Sequence, residues 1–347
     1  MYPKEVEIRE VIESEGEPVH FSAILGRLVQ ILKSRRAVYK AVKDFSPDVI
    51  CFGGEYPGIL ALLIKFRYQI PVIFFKFQST FEIWHELAPF PKGYIISFLE
   101  KTFLRLPFDA VMGSEYVCRV FKDMKLKLTS EKRAFRAVPG VDSDLFSYGN
   151  GRKSLREKLG LENKKAILYV GALTKVKGVE YLIEAMKILD KKINCHLLIV
   201  GAGEEKENLE RLVKDHGLES SVTFVGERPY LEIPDYVVAS DVVVAPSLSE
   251  LFGTRVMYDA WALKRAVIAT RVGDVPKIAS DNKTALLIPP KNSEVIAEKI
   301  QKILFDQKLG KKIVENAYEE ARKYSSEKLA EIFIGASEEV IRARGHV

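Results

Sequence analysis

The chain has 347 residues, and its 53 Lys and Arg against 47 Asp and Glu give a formal net charge of +6. This length favours two domains, and a hydrophobic content of 47% is sufficient for large buried cores. The mild positive charge is compatible with anionic ligands. The sequence has no basic tail, low-complexity tract or aromatic RNA-binding signature, which argues against nucleic acid as a partner.

Cysteine usage and hydropathy argue against a disulfide-stabilised, a zinc-binding or a membrane-spanning protein. Cys51, Cys118 and Cys195 are far apart and form no C-x-x-C pair, which is typical of a reducing compartment and argues against a disulfide scaffold or a zinc site. The charged N-terminus is unlike a signal peptide, and the longest apolar run, residues 56–64, is too short to span a bilayer. These features predict a cytoplasmic protein.

Strand and helix patterns alternate through the first 150 residues, which predicts a parallel sheet. The helices expected at 22–43 and 92–105 combine an apolar face with many Lys and Arg side chains. Such a face is either solvated or docks on an anionic membrane, so peripheral membrane contact remains open. The expected strands are 6–11, 48–53, 70–75, 109–113 and 135–139, and the other expected helices are 57–66 and 115–123.

A change of composition at 147–153 marks a linker, after which the alternation restarts more clearly. This predicts one domain over 1–150 and a second, doubly wound domain over 151–347. The expected strands are 166–171, 195–201, 222–226, 241–245, 266–270 and 285–288. The expected helices are 178–189, a helix after 205, 231–239, 256–263, 293–305, 309–323 and 326–342.

Residues 240–263 have the strongest functional pattern. A β-branched strand ends at Pro246, a polar turn leads to the sequence Glu250-Leu251-Phe252-Gly253, and a helix follows. The amides at a helix start favour phosphate, and loops at the carboxyl ends of strands bind ligands in open α/β sheets. The turn therefore combines a carboxylate with a candidate phosphate site. The alternative for Glu250 is a helix-start acid that interacts only with the helix dipole.

This segment resembles the E-x-F-G segment of the retaining glycosyltransferases of group 1, the family-four type with the GT-B fold. Other segments match the same family in the same order. They are Val170-Gly171-Ala172-Leu173 with Lys177-Gly178, Leu198 to Gly203, Phe224-Val225-Gly226, Ala239-Ser240-Asp241 with Pro246-Ser247, Val267 to Thr270 with Gly273 and Pro276, and Leu287 to Pro290.

The resemblance implies an α/β protein with two doubly wound, Rossmann-like domains that face a cleft. Residues 1–150 would be the acceptor-side domain and residues 151–347 the nucleotide-sugar donor domain. The first half has no pattern for the strand, glycine-rich loop and helix with which the family usually begins, so a shortened domain is expected. The implied activity is retaining transfer from a nucleoside-diphosphate sugar to a sugar or lipid-linked glycan, without a cofactor or metal.

The resemblance also implies site residues. Glu250 would be catalytic, and His85 is a candidate on the acceptor side, with a surface-helix histidine as its alternative. The base would lie near Gly226 and Arg228, with uracil and guanine both possible. The implied donor-binding residues are Lys177, Phe252, Gly253, Thr254, Arg255, Gly171, Asp259, Gly226 and Arg228.

Three departures from the family pattern bear on activity. Ala172 stands where the family usually has a phosphate-binding arginine, which Arg255 could replace. The second acid, Asp259, follows one residue after the expected position, Tyr258, whose hydroxyl could instead reach the ribose. Asp274 stands where a small residue is common, close to where the resemblance implies that the donor binds. The alternatives are a non-catalytic GT-B protein that acts as a partner subunit or sugar-nucleotide binder, and a sugar-nucleotide epimerase or phosphorylase.

Overall fold

The computed structural model describes residues 35–53, 55–76, 102–113, 117–118, 121–122, 133–137, 140–142, 144–145, 152–189, 193–249 and 255–344. The expected strand at 6–11, most of the helices expected at 22–43, 92–105 and 115–123, and His85 lie outside these ranges. Glu250, Phe252, Gly253 and Thr254 lie outside them as well.

The chain forms two compact units, Met1–Arg136 with Ile334–Val347, and Ala137–Phe333. The division therefore falls before the linker expected at 147–153, and the end of the chain belongs to the first unit. Arg133 in the first unit pairs with Glu339 at 3.3 Å, and Cys51 is hydrogen-bonded to Ser337. The continuous apolar pattern of the last helix gives no sign of this change of unit.

The described residues of the first unit form a four-stranded parallel sheet in the order β1-β2-β3-β4. The strands are β1 (Ile50–Gly53), β2 (Val72–Lys76), β3 (Ala110–Gly113) and β4 (Arg133–Arg136). Among the described residues before β2, the chain forms the helices α1 (residues 35–45) and α2 (Glu55–Tyr68). The four strands confirm the expected alternation, with β4 beginning and ending earlier than expected.

Aromatic packing supplies much of the described core of the first unit. The rings of Phe74, Phe52, Phe103 and Phe108 lie 5.1–5.3 Å apart, a spacing at which tilted and edge-on pairs are favourable. A separate cluster joins α1 to α2 through Val42, Leu60 and Ile64.

The second unit contains a six-stranded parallel sheet in the order β10-β9-β8-β5-β6-β7, which is the doubly wound arrangement. Its strands are β5 (Lys165–Val170), β6 (Cys195–Val200), β7 (Val222–Gly226), β8 (Val242–Ala245), β9 (Ala266–Thr270) and β10 (Leu286–Ile288). Its helices are α3 (Arg152–Lys158), α4 (Val179–Leu189), α5 (Lys206–Asp215), α6 (Ile233–Ala239), α7 (Arg255–Ala262), α8 (Val275–Ile278), α9 (Ser293–Phe305) and α10 (Gln307–Ala321), and α11 (Ser326–Arg344) leads into the first unit.

Both faces of this sheet are buried, which explains why its strands are almost continuously apolar. Along β5, Ala166 and Leu168 belong to the core that contains α6 and α7. Ile167 and Tyr169 belong to the core under α4, α5 and α9.

Helix α3, which composition alone does not reveal, is anchored at the amino ends of β5 and β8. Arg156 donates from Nη1 to the carbonyl of Ala239 at 2.8 Å and to Asp241 at 3.2 Å. Asp241 also accepts from the amide of Ala166 at 2.8 Å. This largely buried ion pair therefore holds the strand ends opposite the candidate site.

Candidate functional site

The strand order creates a crevice at the carboxyl ends of β5 and β8. The chain passes from β5 to β6 and β7 on one side and returns to β8 on the other. Ligands of open α/β sheets bind where the connections diverge in this way. Residues 171–178 follow β5 at this point, and residues 246–249 follow β8.

The loops after β5 and β8 contact each other through their backbones. The amide of Leu248 donates to the carbonyl of Val176 at 2.7 Å. Gly178 has φ +61°, and a Cβ atom there would overlap the carbonyl oxygen of Pro246. Glycine is thus required both for the left-handed backbone and for the close approach. The contact places the half-buried Lys177 next to the loop that leads to Glu250.

The loop after β6 contacts the β5 loop from its other side. The amide of Leu173 donates to the carbonyl of Ala202 at 2.8 Å, and the carbonyl of Leu173 accepts from the amide of Glu205 at 3.0 Å. A Cβ atom at Gly201 would overlap the carbonyl oxygen of Gly171. The β5 loop is therefore held between its two neighbours.

The start of the β8 loop is also attached to β9. The hydroxyl of Thr270, the last residue of β9, donates to the carbonyl of Ser247 and lies 3.3 Å from that of Ala245. Ser247 is only 2% exposed, and its hydroxyl has no hydrogen-bond partner among the residues that the structure describes. Thr270 therefore helps to set the direction in which the chain leaves β8.

Tyr230, Arg255 and Asp259 form a polar group, here called the Arg255 cluster. Arg255 donates from Nε to Asp259 Oδ1 at 3.3 Å and from Nη2 to the Tyr230 hydroxyl at 2.8 Å. The same hydroxyl donates to Asp259 Oδ1 at 3.2 Å. Asp259 is 2% exposed, whereas the Arg255 side chain is 46% exposed. At the start of α7, a guanidinium group that is about half exposed thus forms an ion pair with a buried carboxylate.

Burial dominates the electrostatics of Asp259. It raises the pKa of the carboxyl from 3.8 to about 6, although the charge of Arg255 and the hydrogen bonds from Arg255 and Tyr230 act in the opposite direction. Asp142 adds a smaller upward effect. Because the folded pKa is raised, folding binds a proton between about pH 4 and pH 6, and ionised Asp259 lowers stability as the pH rises through this window.

Tyr258 and Asp259 differ sharply in their surroundings, as expected for helix neighbours about 100° apart. Tyr258 is 1% exposed, and its ring packs against Trp261 and Tyr324 at centroid distances of 5.8 and 5.0 Å. Its ring is part of the core, which argues against the expected contact of its hydroxyl with a ribose. Asp259 is the member of the pair that joins the polar cluster, and helix α7 is α-helical from Arg255 onward.

A family model described as "Glycosyl transferases group 1" matches residues 151–320. The chain is also 32% identical over 307 residues to an alpha-D-kanosaminyltransferase of Streptomyces kanamyceticus, a match that covers 86% of this chain and 78% of that relative. The chain belongs to the group 1 glycosyltransferases.

Solved structures identify the fold of this glycosyltransferase. Sucrose-phosphate synthase from Thermosynechococcus elongatus superposes with a TM-score of 0.76 at 23% identity, over 91% of this chain and 79% of that one. HepE from Anabaena, in complex with UDP-glucose, gives a TM-score of 0.72 at 17% identity, over 91% and 82%. With its two parallel-sheet α/β units, the chain has the GT-B fold.

The structure brings several of the expected donor-binding residues to the carboxyl edge of one sheet. Gly171 and Lys177 lie in the β5 loop, and Arg255 and Asp259 lie in the Arg255 cluster. Gly226 ends β7, and the exposed Arg228 donates to the carbonyl of Val225 at 3.3 Å, which keeps it close to that strand end.

Sequence reasoning assigned no role to three residues of this edge. Tyr230 lies in a short turn after β7, Thr270 is the last residue of β9, and Ser247 follows β8. Ser247 and Thr270 fall within segments that match the family, but a position at or shortly after a strand end is shared with many residues that have no function. Their contacts depend on strand order and could not be read from local pattern.

Other acids near this edge already have partners. Asp274, expected close to the donor, pairs with Lys277 at 2.7 Å. Glu205 accepts from Asn208 at 3.1 Å and lies 4.0 Å from Lys175. Within the described ranges, no group of three or more His, Cys, Asp or Glu residues is arranged to hold a metal ion.

Proposed function

We propose that this glycosyltransferase moves a sugar, with retention of configuration, from a nucleoside-diphosphate sugar to a hydroxyl of a glycan or lipid-linked glycan. The joined loops at the β5–β8 crevice support this proposal most directly. The amide of Leu248 in the β8 loop donates to Val176, the neighbour of Lys177, and Glu250 follows Leu248 by two residues in the sequence. HepE contains UDP-glucose, so uridine is the first base to test.

The proposed reaction breaks the bond between the anomeric carbon and the diphosphate oxygen. The acceptor oxygen forms the new bond on the same face of the sugar, and its proton passes to the leaving diphosphate. The protein then has two tasks, namely to stabilise the charge that develops on the diphosphate and to hold both substrates in register. Neither task calls for a metal if cationic side chains and amides surround the phosphates.

We assign these tasks as follows. Lys177, Arg255 and the amides of residues 252–254 bind the diphosphate, and Glu250 accepts hydrogen bonds from the donor sugar. Gly171 admits the phosphates close to the backbone, and Asp259 acts on the donor through Arg255. The base lies near Gly226 and Arg228, and His85 is assigned to the acceptor side.

A thermal-shift screen with UDP, GDP, ADP and their common sugars tests the donor assignment. A ligand at about 100 times its dissociation constant adds about 2.7 kcal/mol to stability. Lys177→Ala should weaken binding of the stabilising nucleotide about tenfold, because one charge-assisted contact to phosphate is lost. Lys175→Ala is the matched control, since Lys175 lies in the same turn with 81% of its side chain exposed.

The outcomes separate the proposals. Equal losses in both lysine variants would contradict the role of Lys177. Binding without transfer to any acceptor would favour the non-catalytic sugar-nucleotide binder. A well-folded protein that no nucleotide stabilises would contradict donor binding altogether.

We also propose that the first unit contacts an anionic membrane surface, as a lipid-linked acceptor would require. On α2, Ile59, Leu63 and Phe66 are 46%, 45% and 61% exposed and lie on one helical face. Helix α1 packs alongside α2, and its exposed positions include Arg35, Arg36, Lys40 and Lys43. In the part of the chain that the structure describes, no helix has the length and apolarity to cross a bilayer.

Changing Ile59, Leu63 and Phe66 together to serine should weaken binding to vesicles that contain phosphatidylglycerol by about tenfold or more, because apolar insertion is lost. Cosedimentation measures the effect. Phe305→Ser is the matched control, because Phe305 is 58% exposed in the second unit. Equal binding of both variants to the vesicles, or no binding of the wild-type protein, would contradict membrane contact through α2.

A further inference from the structure

We infer that the Arg255 cluster is a proton-coupled holder for the donor diphosphate, in which Asp259 releases Arg255 to the phosphates and takes up a proton, while Tyr230 keeps the guanidinium in place. This inference rests on the proposed donor site. It adds Tyr230 as a positioning residue and gives Asp259 a defined part in binding.

The geometry supports both steps, namely the binding of phosphate by Arg255 and the release of Arg255 by Asp259. Arg255 uses Nε on Asp259 and Nη2 on Tyr230, while 46% of its side chain remains exposed. A guanidinium has five N–H donors, so an incoming anion can be bound before the existing contacts break. Arg255 is also the first residue of α7, so it lies at the end of a helix where amides and dipole favour anions.

The charges around Asp259 determine whether the protein takes up or releases a proton when the ligand binds. Arg255 on its own helix is the cation that offsets its charge, Tyr230 before α6 donates to it, and Asp142 in the segment after β4 repels it. A diphosphate on Arg255 adds negative charge and draws the cation away. The buried carboxylate then loses its compensation, and its pKa must rise above about 6. Binding therefore takes up a proton near neutral pH.

Tyr230 has a different part, because its hydroxyl carries no charge. Tyr230 accepts from Arg255 Nη2 at 2.8 Å, and we expect this hydrogen bond to remain when Asp259 is protonated, because it does not use the carboxylate as a partner. The Arg255 Cζ also lies 4.9 Å from the centroid of the Tyr230 ring, within the range of a cation–π contact. Tyr230 thus keeps the guanidinium in place after the ion pair has been released.

Isothermal titration with UDP-glucose at pH 7, in two buffers of different ionisation enthalpy, measures the proton directly. UDP-glucose is suitable because its phosphates do not titrate near neutral pH. Because bound diphosphate raises the pKa of Asp259 above about 6 and towards the pH of the experiment, the wild-type protein takes up a measurable fraction of a proton. The affinity of the wild-type protein for UDP-glucose also rises as the pH is lowered from 8 to 6.

Three variants give distinct expected results. The Asp259→Asn variant still binds UDP-glucose, but it takes up no proton on binding and its affinity no longer changes with pH. Tyr230→Phe retains proton uptake but binds about fivefold more weakly, because one hydrogen bond to a charged group is lost. Asp274→Asn is the matched control, because Asp274 also pairs with a basic residue near this edge and should leave proton uptake at the wild-type value.

The possible outcomes distinguish this inference from the proposed function. Wild-type binding of UDP-glucose without proton uptake, or uptake that persists in Asp259→Asn, overturns the inference and leaves the donor site standing. If UDP-glucose, GDP-mannose and ADP-glucose all fail to bind, both the inference and the proposed function are overturned. If Tyr230→Phe binds UDP-glucose with the wild-type affinity, Tyr230 does not position Arg255.

Discussion

Glu250→Ala is expected to lower sugar transfer by about 100-fold or more while leaving nucleotide binding nearly unchanged. Residues 246–249 follow β8 at the β5–β8 crevice, and we expect Glu250, the next residue in the sequence, to act there. A carboxylate there would orient the donor sugar in the transition state rather than bind the nucleotide, and losing one such contact typically costs 10²–10³ in rate. Initial-rate measurements with saturating donor provide the test.

The control for this variant is Glu219→Ala. Glu219 is an exposed acid just before β7, at the opposite end of the sheet, and it should have no effect on transfer. Glu250→Gln should resemble Glu250→Ala, because the amide keeps the shape but loses the charge. Wild-type turnover in Glu250→Ala would remove Glu250 from the site, and loss of UDP binding in step with turnover would assign it to the nucleotide instead.

Local pattern was sufficient to predict the strands of the second unit because all of them except the edge strand β7 are almost fully buried. Runs such as Val242–Ala245 have no alternation to misread, and glycine or proline follows several of them directly. The same runs predicted where ligand loops begin, since loops at the carboxyl ends of parallel strands share one edge. The family resemblance then selected Lys177 and Arg255 among the polar residues of that edge.

Contacts between distant segments were beyond sequence reasoning. The hydrogen bond from Tyr230 to Asp259 joins residues 29 apart, and Gly178 approaches Pro246 only because β5 and β8 are neighbours. Composition around residue 150 suggested a linker, yet α3 begins at Arg152, and its Arg156 forms a largely buried ion pair with Asp241. In each case the deciding interaction depends on strand order, which pattern and composition do not encode.

The contact between Gly178 and Pro246 makes a strong prediction about stability. Gly178→Ala is expected to destabilise the second unit by about 3 kcal/mol or more. An alanine at φ +61° costs about 1–2 kcal/mol, and its Cβ would also overlap a backbone oxygen that cannot move without displacing the β8 loop. Urea unfolding, followed through the fluorescence of the fully buried Trp261, measures the change. A Trp84→Phe background removes the signal of the other tryptophan.

Gly217→Ala separates the two causes. Gly217 has φ +66°, but no atom lies within 4 Å of the Cβ position, so only the conformational cost of about 1–2 kcal/mol remains. The excess loss in Gly178→Ala then measures the contact with Pro246. If Gly178→Ala loses more stability than Gly217→Ala, its folded fraction should also transfer sugar slowly, because the displaced residues 246–249 directly precede Glu250 in the sequence. Equal unfolding midpoints for the two alanine variants would show that the β5 and β8 loops are not held together, and the proposal that Lys177 and Glu250 act on the same donor would lose its main support.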